Sequence, residues 1–472
     1  MLKKSFRELE LQSPWYNFRV NFTVIVVVVI FVINSAAQYL LYSNQNVIAD
    51  IFFGNHLGAA IANIRWMIGA SLLTSAATMI FWGYLGDKYS KKLILTLSSL
   101  IWIIACFSIY FTPSITYSQL FLMQILFGLG FGAVWPICYS LLGDVVKAES
   151  RGKVFGILGI VVGAGSVIGL FLGSFFRDSW TTPFLLVSIL GSGLILIFFI
   201  IGVDLKKGRA EEELKTVLNE GAIYTYEIKP EHLKKLWKKS TNVNLFLQGI
   251  PGCIPWGVLL IVAPLFFESC GFDINIAILL VVLAQAPSAG GAIFTGWYCD
   301  RLAQKSQRSR VKFIAFSILF PVSFFIAAFL LPYPFVGSAP GSFDAGFEGF
   351  LTGPLYILGF TLIGIGSFLS SAAGTNYFAI IQAANEPELR STIISFNKVN
   401  DNAGTALGPG LAGVFGMLWG DRYAMAIATL FWIPCAYFWF RATKTIDTDV
   451  QDMKNLLTAR AKELEQNLKS KP

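Results

Sequence analysis

One short polar stretch is the strongest indication of the fold: Gly83-Tyr84-Leu85-Gly86-Asp87-Lys88-Tyr89-Ser90-Lys91-Lys92. It follows the second long apolar segment of the chain and carries two glycines, one acid and three lysines before the third segment. A shorter stretch of the same order, Gly296-Trp297-Tyr298-Cys299-Asp300-Arg301, follows the eighth apolar segment. Glu149-Ser150-Arg151 opens the fifth segment, and Glu388-Leu389-Arg390 opens the eleventh. Four elements in matching order predict a duplicated six-helix unit, and many transporters are built from such repeats.

The composition places most of the chain in a lipid bilayer. Of 472 residues, 55% are hydrophobic and 14% are charged, and the mean hydropathy is +0.63. A soluble domain carries about 25% charged residues, and it could not bury apolar runs as long as Val24–Ile33 and Leu185–Ile201. The net charge of +8 is spread between the apolar segments, which indicates topology and not nucleic-acid binding. The six cysteines show neither a disulfide nor a metal-ligand pattern, and no cofactor is expected.

The apolar segments are long enough to cross a bilayer as helices. We predict an all-α integral membrane protein in which twelve transmembrane helices form two six-helix repeats around a central cavity. The predicted spans cover residues 20–42, 60–86, 93–111, 117–143, 152–176, 182–203, 243–267, 274–298, 311–331, 354–382, 391–418 and 421–441.

Basic residues define the orientation of the chain. They lie in the N-terminus, in every second loop and in the tail, whereas residues 43–59, 112–118 and 332–353 contain no Lys or Arg. The positive-inside rule therefore places both termini in the cytoplasm, and we expect the cell (plasma or inner) membrane. We predict a six-helix bundle over residues 1–204, a cytoplasmic linker over 205–240, a second six-helix bundle over 241–445 and a cytoplasmic tail over 446–472.

The tail has an amphipathic pattern. Its apolar residues recur at near-helical spacing, at Val450, Met453, Leu457, Leu464 and Leu468. The preferred interpretation is a helix that lies against the protein or the membrane surface, and the alternative is a partner-binding motif.

The stretch around Asp87 resembles the signature that follows the second helix in transporters of the major facilitator superfamily. With the partial copy around Asp300, the resemblance covers essentially the whole chain. Glycines let two helices approach closely at the cytoplasmic surface, so the Asp87 carboxylate can face a helix N-terminus of the other half and pair with a base such as Arg151. The resemblance implies that this contact is a latch for alternating access, with Asp300 and Arg390 in the same role. The lysines of the stretch could instead serve only topology.

A narrower resemblance concerns Gln248–Gly257, which is similar to the opening of the seventh helix in spinster-like members of the superfamily. That branch is associated with lysolipids and sphingolipids. Many of its members carry an acid–arginine pair in the first helix. Here the comparable stretch, Tyr42–Asn46, has no such pair, and Asp50 lies further along.

Ionisable residues at membrane depth are costly and are functional candidates. Arg65 could attract an anionic head group or extend to the interface. Lys398 and Asp401 are three residues apart and share one helix face, either as a structural ion pair or as a coupling or gating pair. The residues predicted to control conformation are Gly83, Gly86, Asp87, Lys88, Glu149, Arg151, Asp300, Arg301, Arg390, Lys398 and Asp401.

Polar and aromatic residues in the apolar segments could contact a substrate or join helices. The substrate-binding candidates are Asn34, Gln38, Tyr39, Arg65, Gln124, Trp135, Gln248, Trp256, Gln285, Asn376 and Gln382. Glycines recur every four or five residues in two spans and predict close packing and sliding between the halves. They are Gly165, Gly169 and Gly173 in the fifth span and Gly404, Gly408 and Gly413 in the eleventh.

The predicted function is secondary active or facilitative transport by alternating access. The expected partners are membrane lipids and a small amphipathic, lipid-like or organic-anion substrate, with a coupling proton left open and a monomer expected. A transporter-like receptor or scaffold is the first alternative. A membrane-embedded enzyme is less favoured, because both histidines, His56 and His232, fall in polar connections and no nucleophile–base constellation or phosphate-binding loop is present.

Overall fold

The computed structural model describes residues 14–469 except residues 43, 55–56, 206, 221, 223, 273 and 337–342. The described chain forms helices joined by short connections, without a strand in these residues. Twelve spans are present, four of them built from two consecutive helices. They are span 1 (Pro14–Tyr39), span 2 (Leu57–Lys88), span 3 (Lys91–Phe111), span 4 (Tyr117–Phe131 and Val134–Gly143), span 5 (Arg151–Phe175), span 6 (Thr182–Ile201), span 7 (Ser240–Leu247 and Gly249–Ser269), span 8 (Ile274–Gln285 and Pro287–Lys305), span 9 (Gln307–Leu330), span 10 (Pro354–Ala384), span 11 (Arg390–Trp419) and span 12 (Asp421–Thr429 and Trp432–Ala442).

The remaining helices lie outside the spans. They are Gln45–Phe53, Glu212–Asn219, Pro230–Leu236, Phe343–Thr352 and Ile446–Lys469, with 3₁₀ turns at Ala148–Ser150, Arg177–Ser179 and Pro387–Leu389. Spans 2, 4, 6, 8, 10 and 12 all end on one side of the bundle, which we call the linker face because it also carries the described residues between 205 and 240. The twelve predicted spans are thus observed, and their bounds differ most at span 1, which begins at Pro14 instead of residue 20, and at span 8, which continues to Lys305 instead of ending at residue 298. Asp300 and Arg301, which were predicted to follow span 8, therefore lie within its second helix.

Eleven spans are long and apolar enough, by length and composition within the described residues, to cross a membrane. Span 11 is the exception because it carries Lys398, Asn400, Asp401 and a series of glycines. A helix this polar is stable in a bilayer only when its polar face is covered by protein or water. Span 11 is therefore expected to face the interior of the bundle.

Local sequence sets where several spans begin. The Ser90 hydroxyl accepts the Leu93 N–H at 3.2 Å at the start of span 3. Thr116 and Gln119 form a reciprocal capping box at the start of span 4. These side chains satisfy N–H groups that have no partner within their helix. Span 8 breaks immediately before Pro287, whose ring cannot continue a helical hydrogen-bond ladder.

The glycine series pack helices within each repeat. A Cβ atom on Gly165 in span 5 would lie 2.6 Å from the Val32 carbonyl oxygen in span 1. In the second repeat, a Cβ atom on Gly404 in span 11 would lie 2.5 Å from the Ile250 carbonyl oxygen in span 7. Spans 1 and 5 thus correspond to spans 7 and 11. The predicted close packing is confirmed for Gly165, Gly169, Gly404 and Gly408, but its predicted place between the halves is wrong, because the helix they approach belongs to their own repeat. No atom lies within 4 Å of the Cβ position of Gly413.

The tail helix, Ile446–Lys469, packs on the linker helix Glu212–Asn219. The two helices share an apolar cluster that is separate from the core of the spans, and it includes Leu214, Val217, Leu218, Met453, Leu457 and Leu464. This arrangement agrees with the preferred interpretation of the tail as a helix that lies against the protein surface.

Candidate functional site

Asp87 is fully buried in the last turn of span 2, at the linker face. Its Oδ1 atom accepts a hydrogen bond from the Ser391 N–H at 3.0 Å. Its Oδ2 atom accepts from the Thr392 N–H and from the Thr392 hydroxyl, both at 2.7 Å. Ser391 and Thr392 lie in the first turn of span 11, whose N–H groups have no partner within the helix. The carboxylate therefore caps a helix of the other repeat, where the helix dipole favours negative charge.

Asp300 makes the equivalent contact in the opposite direction. It lies in span 8, and its two carboxylate oxygens accept the Gly152 N–H at 3.0 Å and the Lys153 N–H at 2.9 Å. Gly152 and Lys153 lie in the first turn of span 5. Arg310 of span 9 lies 3.5 Å from the same carboxylate. Each repeat thus supplies one aspartate that caps a helix of the other repeat.

Glycines make both contacts sterically possible. A Cβ atom on Gly83 would lie 2.8 Å from the Ser391 carbonyl oxygen and would overlap the Ser395 side chain. A Cβ atom on Gly296 would lie 2.7 Å from the Gly152 carbonyl oxygen. Spans 2 and 11, and spans 8 and 5, therefore approach too closely for any side chain larger than hydrogen at these two positions. Gly86 is similarly confined by Ile137 of span 4.

Arg151 pairs with a residue that the sequence did not point to. Its guanidinium donates to Glu211 Oε1 at 2.6 Å and to the Gly143 carbonyl oxygen at 2.9 Å. Arg390 of span 11 donates to the same Glu211 oxygen, also at 2.6 Å. The expected pairing of Asp87 with Arg151 is wrong, because the Asp87 oxygens are occupied by span 11 and the linker carboxylate neutralises Arg151.

Glu211 therefore bridges one arginine of each repeat. Its side chain is 11% exposed, so the three charges interact with little solvent screening. Burial by itself would raise the pKa of the Glu211 carboxyl, but Arg151 and Arg390 outweigh burial and lower the pKa to about 2. The linker carboxylate is consequently ionised at neutral pH and holds the two arginines together.

Asp144 is a second carboxylate that the sequence reasoning missed. Its Oδ2 lies 2.5 Å from Lys91 Nζ, and its Oδ1 lies 3.6 Å from Arg390. The Gly208 N–H of the linker donates to the same Oδ1 at 3.2 Å. Asp144 and Glu211 share one signal that could have found them: both are acids on a face where the topology rule favours bases.

The linker face also involves the tail. Arg460 lies 2.9 Å from Glu388, the acid that precedes span 11, and Tyr224 of the linker donates to Glu388 at 2.7 Å. The Arg460 guanidinium also lies 4.2 Å from the centre of the Tyr226 ring. Linker, tail and the start of span 11 are thus joined by one polar cluster.

Between the repeats, polar contacts are confined to one side. Among the described residues, the hydrogen bonds and ion pairs that join spans 1–6 to spans 7–12 all lie at the linker face. Besides the aspartate caps and the Arg390–Asp144 pair, Gln382 of span 10 donates to the Tyr139 carbonyl oxygen of span 4 at 2.8 Å. The Tyr139 and Phe378 rings meet there at 4.1 Å between centroids. The linker face is therefore closed between the repeats.

Lys398 and Asp401 lie further into the bundle on span 11. Lys398 Nζ lies 4.0 Å from Asp401 Oδ2 and 4.5 Å from the centre of the Trp135 ring in span 4. Their side chains are 21% and 13% exposed, respectively. Trp135 in turn stacks on Tyr139, with 5.7 Å between ring centroids, and meets Phe31 of span 1 at 4.8 Å. A charged pair thus lies next to an aromatic wall at membrane depth.

Several substrate-binding candidates already have protein partners. Gln248 accepts from the Trp439 indole at 3.2 Å, Gln285 accepts from Ser367 at 3.2 Å, and Asn376 accepts from Arg310 at 2.8 Å. Gln382 is buried in the contact with Tyr139 described above. These four side chains join helices in this conformation, as polar residues commonly do between membrane helices.

The remaining candidates divide into three groups. Gln38 and Gln124 line one small cavity between spans 1, 2 and 4. Tyr39 and Trp256 pack against other aromatic rings, those of Tyr42 and Trp432. The buried Asn34 amide has no hydrogen-bond partner among the described residues. The side chain of Arg65 lies outside the described residues.

Three of the predicted gating residues lie on the surface. Lys88 and Arg301 are exposed, with Lys88 near the Tyr89 ring and the Arg301 guanidinium 4.0 Å from the centre of the Trp297 ring. Glu149 is exposed in a 3₁₀ turn. In the described part of the chain, no group of three or more His, Cys, Asp or Glu side chains could hold a metal ion.

The family model described as Major Facilitator Superfamily matches residues 31–373. Among characterised proteins, citrate exporter 1 of Yarrowia lipolytica is 30% identical over 162 residues, which cover 34% of this chain and 24% of that protein. Multidrug resistance protein 3 of Bacillus subtilis is 28% identical over 33% of this chain and 29% of its own length. The tetracycline resistance protein, class H, of Pasteurella multocida is 26% identical over 63% of this chain and 71% of that protein. The match to the first two relatives thus spans less than a third of their length.

Solved structures share the fold over nearly the whole chain. The proton:xylose symporter XylE bound to 6-bromo-6-deoxy-D-glucose aligns with a TM-score of 0.63 and 12% identity, covering 92% of this chain and 96% of that one. A double tryptophan mutant of XylE aligns with a TM-score of 0.68 and 13% identity, covering 92% and 98%. At these identities the likeness concerns the fold alone. The narrower spinster-like resemblance stays a prediction.

Proposed function

Because this chain belongs to the major facilitator superfamily, we propose that it is a transporter that carries a small molecule by alternating access, and that the structure has the linker face closed. The observation that carries the proposal is the exchange of aspartate caps. Asp87 caps span 11 and Asp300 caps span 5, each across the boundary between the repeats. The membership in a family of transporters excludes an enzyme.

The caps can control the conformation because they exist only while the repeats touch at this face. A hydrogen bond to a charged group contributes about 1.5–3 kcal/mol, and a contact present in one of two conformations shifts the equilibrium by its own free energy. The Glu211 bridge between Arg151 and Arg390 acts in the same direction. Opening of the linker face would break all these contacts together.

We propose that the linker face is cytoplasmic and that both termini lie there. The support is the distribution of basic residues, since the segments between spans on this face are rich in Lys and Arg. The proposed membrane is the cell (plasma or inner) membrane. We also propose that residues 1–204 and 241–445 form two six-helix bundles, that residues 205–240 form the linker between them, and that residues 446–472 form the tail.

The substrate that we propose is a small amphipathic, lipid-like or organic-anion molecule. The relatives named as a citrate exporter and as drug resistance proteins favour organic substrates of this kind. The partly exposed Trp135, which is backed by the buried rings of Phe31 and Tyr139, favours an apolar body. We propose two possible modes of transport, coupling to a proton and facilitated diffusion. We also propose that the protein transports as a monomer.

The test measures conformation and flux in parallel. Ser391 is buried and its hydroxyl has no partner among the described residues, so Ser391→Cys is a reporter that a maleimide reaches only when the linker face opens. We expect Asp87→Asn to increase labelling of this cysteine in the purified protein. Wild-type protein supplies the background from the native cysteines. The matched control is Asp50→Asn, an exposed aspartate near the opposite end of span 1.

Flux is measured in proteoliposomes with tetracycline, citrate and 2-naphthoate. The proposal is supported if the wild type takes up at least one compound and if this uptake is altered in Asp87→Asn but unchanged in Asp50→Asn. Labelling and flux that are identical in Asp87→Asn and wild type would refute the latch. Binding of a compound without flux of any compound would instead favour a receptor of the same fold.

A further inference from the structure

We propose that Lys398 is the binding residue for the anionic group of the substrate, and that the substrate is a molecule with a single carboxylate on an apolar body. The inference rests on the proposed transport function and names the substrate class of the same central site. It begins from the position of the residue. Lys398 lies eight residues into span 11, which is roughly 12 Å along the helix. A cation at that depth is costly unless it has a function or a close partner.

Lys398 is partly buried and lacks the close partner that the fully buried cations have. Arg151, Arg310 and Arg390 each donate a hydrogen bond to a side-chain oxygen at 2.6 to 2.8 Å, and Lys91 lies 2.5 Å from Asp144. Lys398 makes no hydrogen bond among the described residues, and its nearest carboxylate oxygen is 4.0 Å away. An ammonium group has three donors. All three are therefore available to a ligand.

The neighbours of Lys398 restrict the ligand. The ammonium lies over the Trp135 ring at 4.5 Å, which stabilises the cation without using its N–H groups. Trp135 is partly exposed and packs on Tyr139 and Phe31, which are themselves buried. A flat or extended apolar body can lie against Trp135 while its anionic end reaches Lys398.

Asp401 limits the charge of the ligand. Its carboxylate lies 4.0 Å from Lys398 and is 13% exposed. An entering carboxylate can approach Lys398 within hydrogen-bond distance, which Asp401 does not. A second or third negative charge on the ligand would face Asp401 without a further cation, and like charges at such distances repel strongly at low dielectric. The site therefore favours a monoanion over a polyanion such as citrate.

The location gives binding a conformational consequence. Lys398 belongs to the second repeat and Trp135 to the first. A ligand that bridges them touches both repeats, so its affinity differs between the two conformations of the transporter. Differential affinity is the requirement for a ligand to shift such an equilibrium.

Two kinds of molecule carry this chemistry, a soluble aromatic carboxylate and a fatty acid from the membrane. The experiment measures binding to the full-length protein in phosphatidylcholine nanodiscs by calorimetry. The first pair of probes is 2-naphthoate and its neutral amide, and the second is oleate and oleamide. Citrate serves as the polyanion. In wild type we expect one of the carboxylates to bind about tenfold or more tighter than its amide, because a charge-assisted hydrogen bond contributes about 1.5–3 kcal/mol.

The variants separate charge from fold. Lys398→Gln should remove the preference for the carboxylate and leave binding of the amide within about twofold, whereas Lys398→Arg should keep the preference. The matched control is Lys444→Gln, an exposed lysine after span 12, which should bind as wild type does. If the protein prefers oleate over oleamide but does not prefer 2-naphthoate over its amide, the result supports the inference and indicates that the ligand is a fatty acid from the membrane.

The inference is overturned if wild type prefers neither carboxylate over its amide, an outcome that does not depend on any variant folding. Equal carboxylate affinity in Lys398→Gln and wild type, or citrate binding as tight as naphthoate, would also overturn it. The transport proposal would still stand in these cases if at least one of the compounds is taken up and Asp87→Asn increases labelling at Ser391→Cys. The transport proposal itself would be refuted if the wild type transports none of the compounds and if Asp87→Asn does not change the labelling of Ser391→Cys.

Discussion

Asp87 Oδ2 accepts two hydrogen bonds from one residue, Thr392, through its backbone N–H and its hydroxyl, each at 2.7 Å. The two donors lie at the start of span 11, and the acceptor lies at the end of span 2. The contact joins residues that are 305 positions apart. One carboxylate oxygen of the first repeat therefore binds the N-terminus of a helix in the second repeat.

The Thr392 hydroxyl is the part of this contact that can be removed alone. In Thr392→Val, Asp87 keeps both backbone N–H donors and loses one hydrogen bond to a charged acceptor, at a cost of about 1.5–3 kcal/mol to the closed conformation. We expect Ser391→Cys labelling to rise, but less than in Asp87→Asn. Thr361→Val, on the exposed surface of span 10, is the control. A larger effect in Thr392→Val than in Asp87→Asn would contradict this ordering.

Gly83 tests the close approach of spans 2 and 11. In Gly83→Ala the new methyl group would lie 2.8 Å from a backbone oxygen of Ser391, so the helices must separate. Gly69→Ala in the same span is the matched control, because no atom lies within 4 Å of its Cβ position. We expect increased labelling and altered flux in Gly83→Ala only. Equal labelling and equal flux in the two variants would show that closure of the linker face does not depend on the close approach of spans 2 and 11 at Gly83.

Glu211 gives the linker a measurable role. Glu211→Gln removes the shared anion between Arg151 and Arg390, and loss of one partner from a buried charge cluster costs about 3–5 kcal/mol. We expect a lower melting temperature at pH 7 and increased labelling of Ser391→Cys. Glu212→Gln is the control, because the Glu212 side chain is 78% exposed. A melting temperature that is equal in the two variants would refute the bridge.

The Glu211 bridge also predicts a pH dependence. An isolated glutamate has a pKa of 4.5, and the pKa of Glu211 is lowered to about 2 in the folded protein. A lowered pKa stabilises the fold fully above pH 4.5, and the stabilisation is lost as the pH falls toward 2, by roughly 3 kcal/mol in total. The difference in stability between wild type and Glu211→Gln should therefore be constant from pH 5 to 8 and shrink below about pH 4.5. A difference that instead grows on acidification would contradict the assignment.

The tail is held by apolar contacts that can be weakened without touching the spans. Leu457 is 1% exposed in the cluster shared with the linker helix, and Leu457→Ala in a packed site costs about 2–5 kcal/mol. We expect faster hydrogen exchange in the tail helix and at Leu214 to Leu218. The control is Thr458→Ala, whose side chain is exposed on the same helix. Unchanged exchange in Leu457→Ala would mean that the tail is held by its polar contacts alone.

The sequence predicted the architecture because its signals are local or repeated. Apolar length and basic loops depend on the bilayer and not on partner residues. Asp87 was predicted to face a helix N-terminus of the other half, and the structure has this contact with Ser391 and Thr392. The stretch around Asp300 predicted the equivalent contact through its similarity to the first.

The pairing of charges was harder to predict. Arg151 was assigned to Asp87, but it lies against Glu211, a residue of the linker. Several acids compete for each base on the linker face, and only the path of the linker decides which of them is nearest. The glycine series in spans 5 and 11 were likewise assigned to the wrong neighbours, because spacing along a helix does not indicate which helix lies against it.

The amino-acid sequence was sufficient to predict a membrane protein of twelve helices in two related repeats, with corresponding aspartates at Asp87 and Asp300. Hydropathy and internal repetition are properties of the chain and need no three-dimensional partner. Only the folded structure shows that Glu211 joins Arg151 to Arg390, and that Lys398 lies over Trp135 without a hydrogen bond to the described residues. These contacts join residues distant in the chain, and in a buried site of low dielectric the nearest opposite charge determines the pairing.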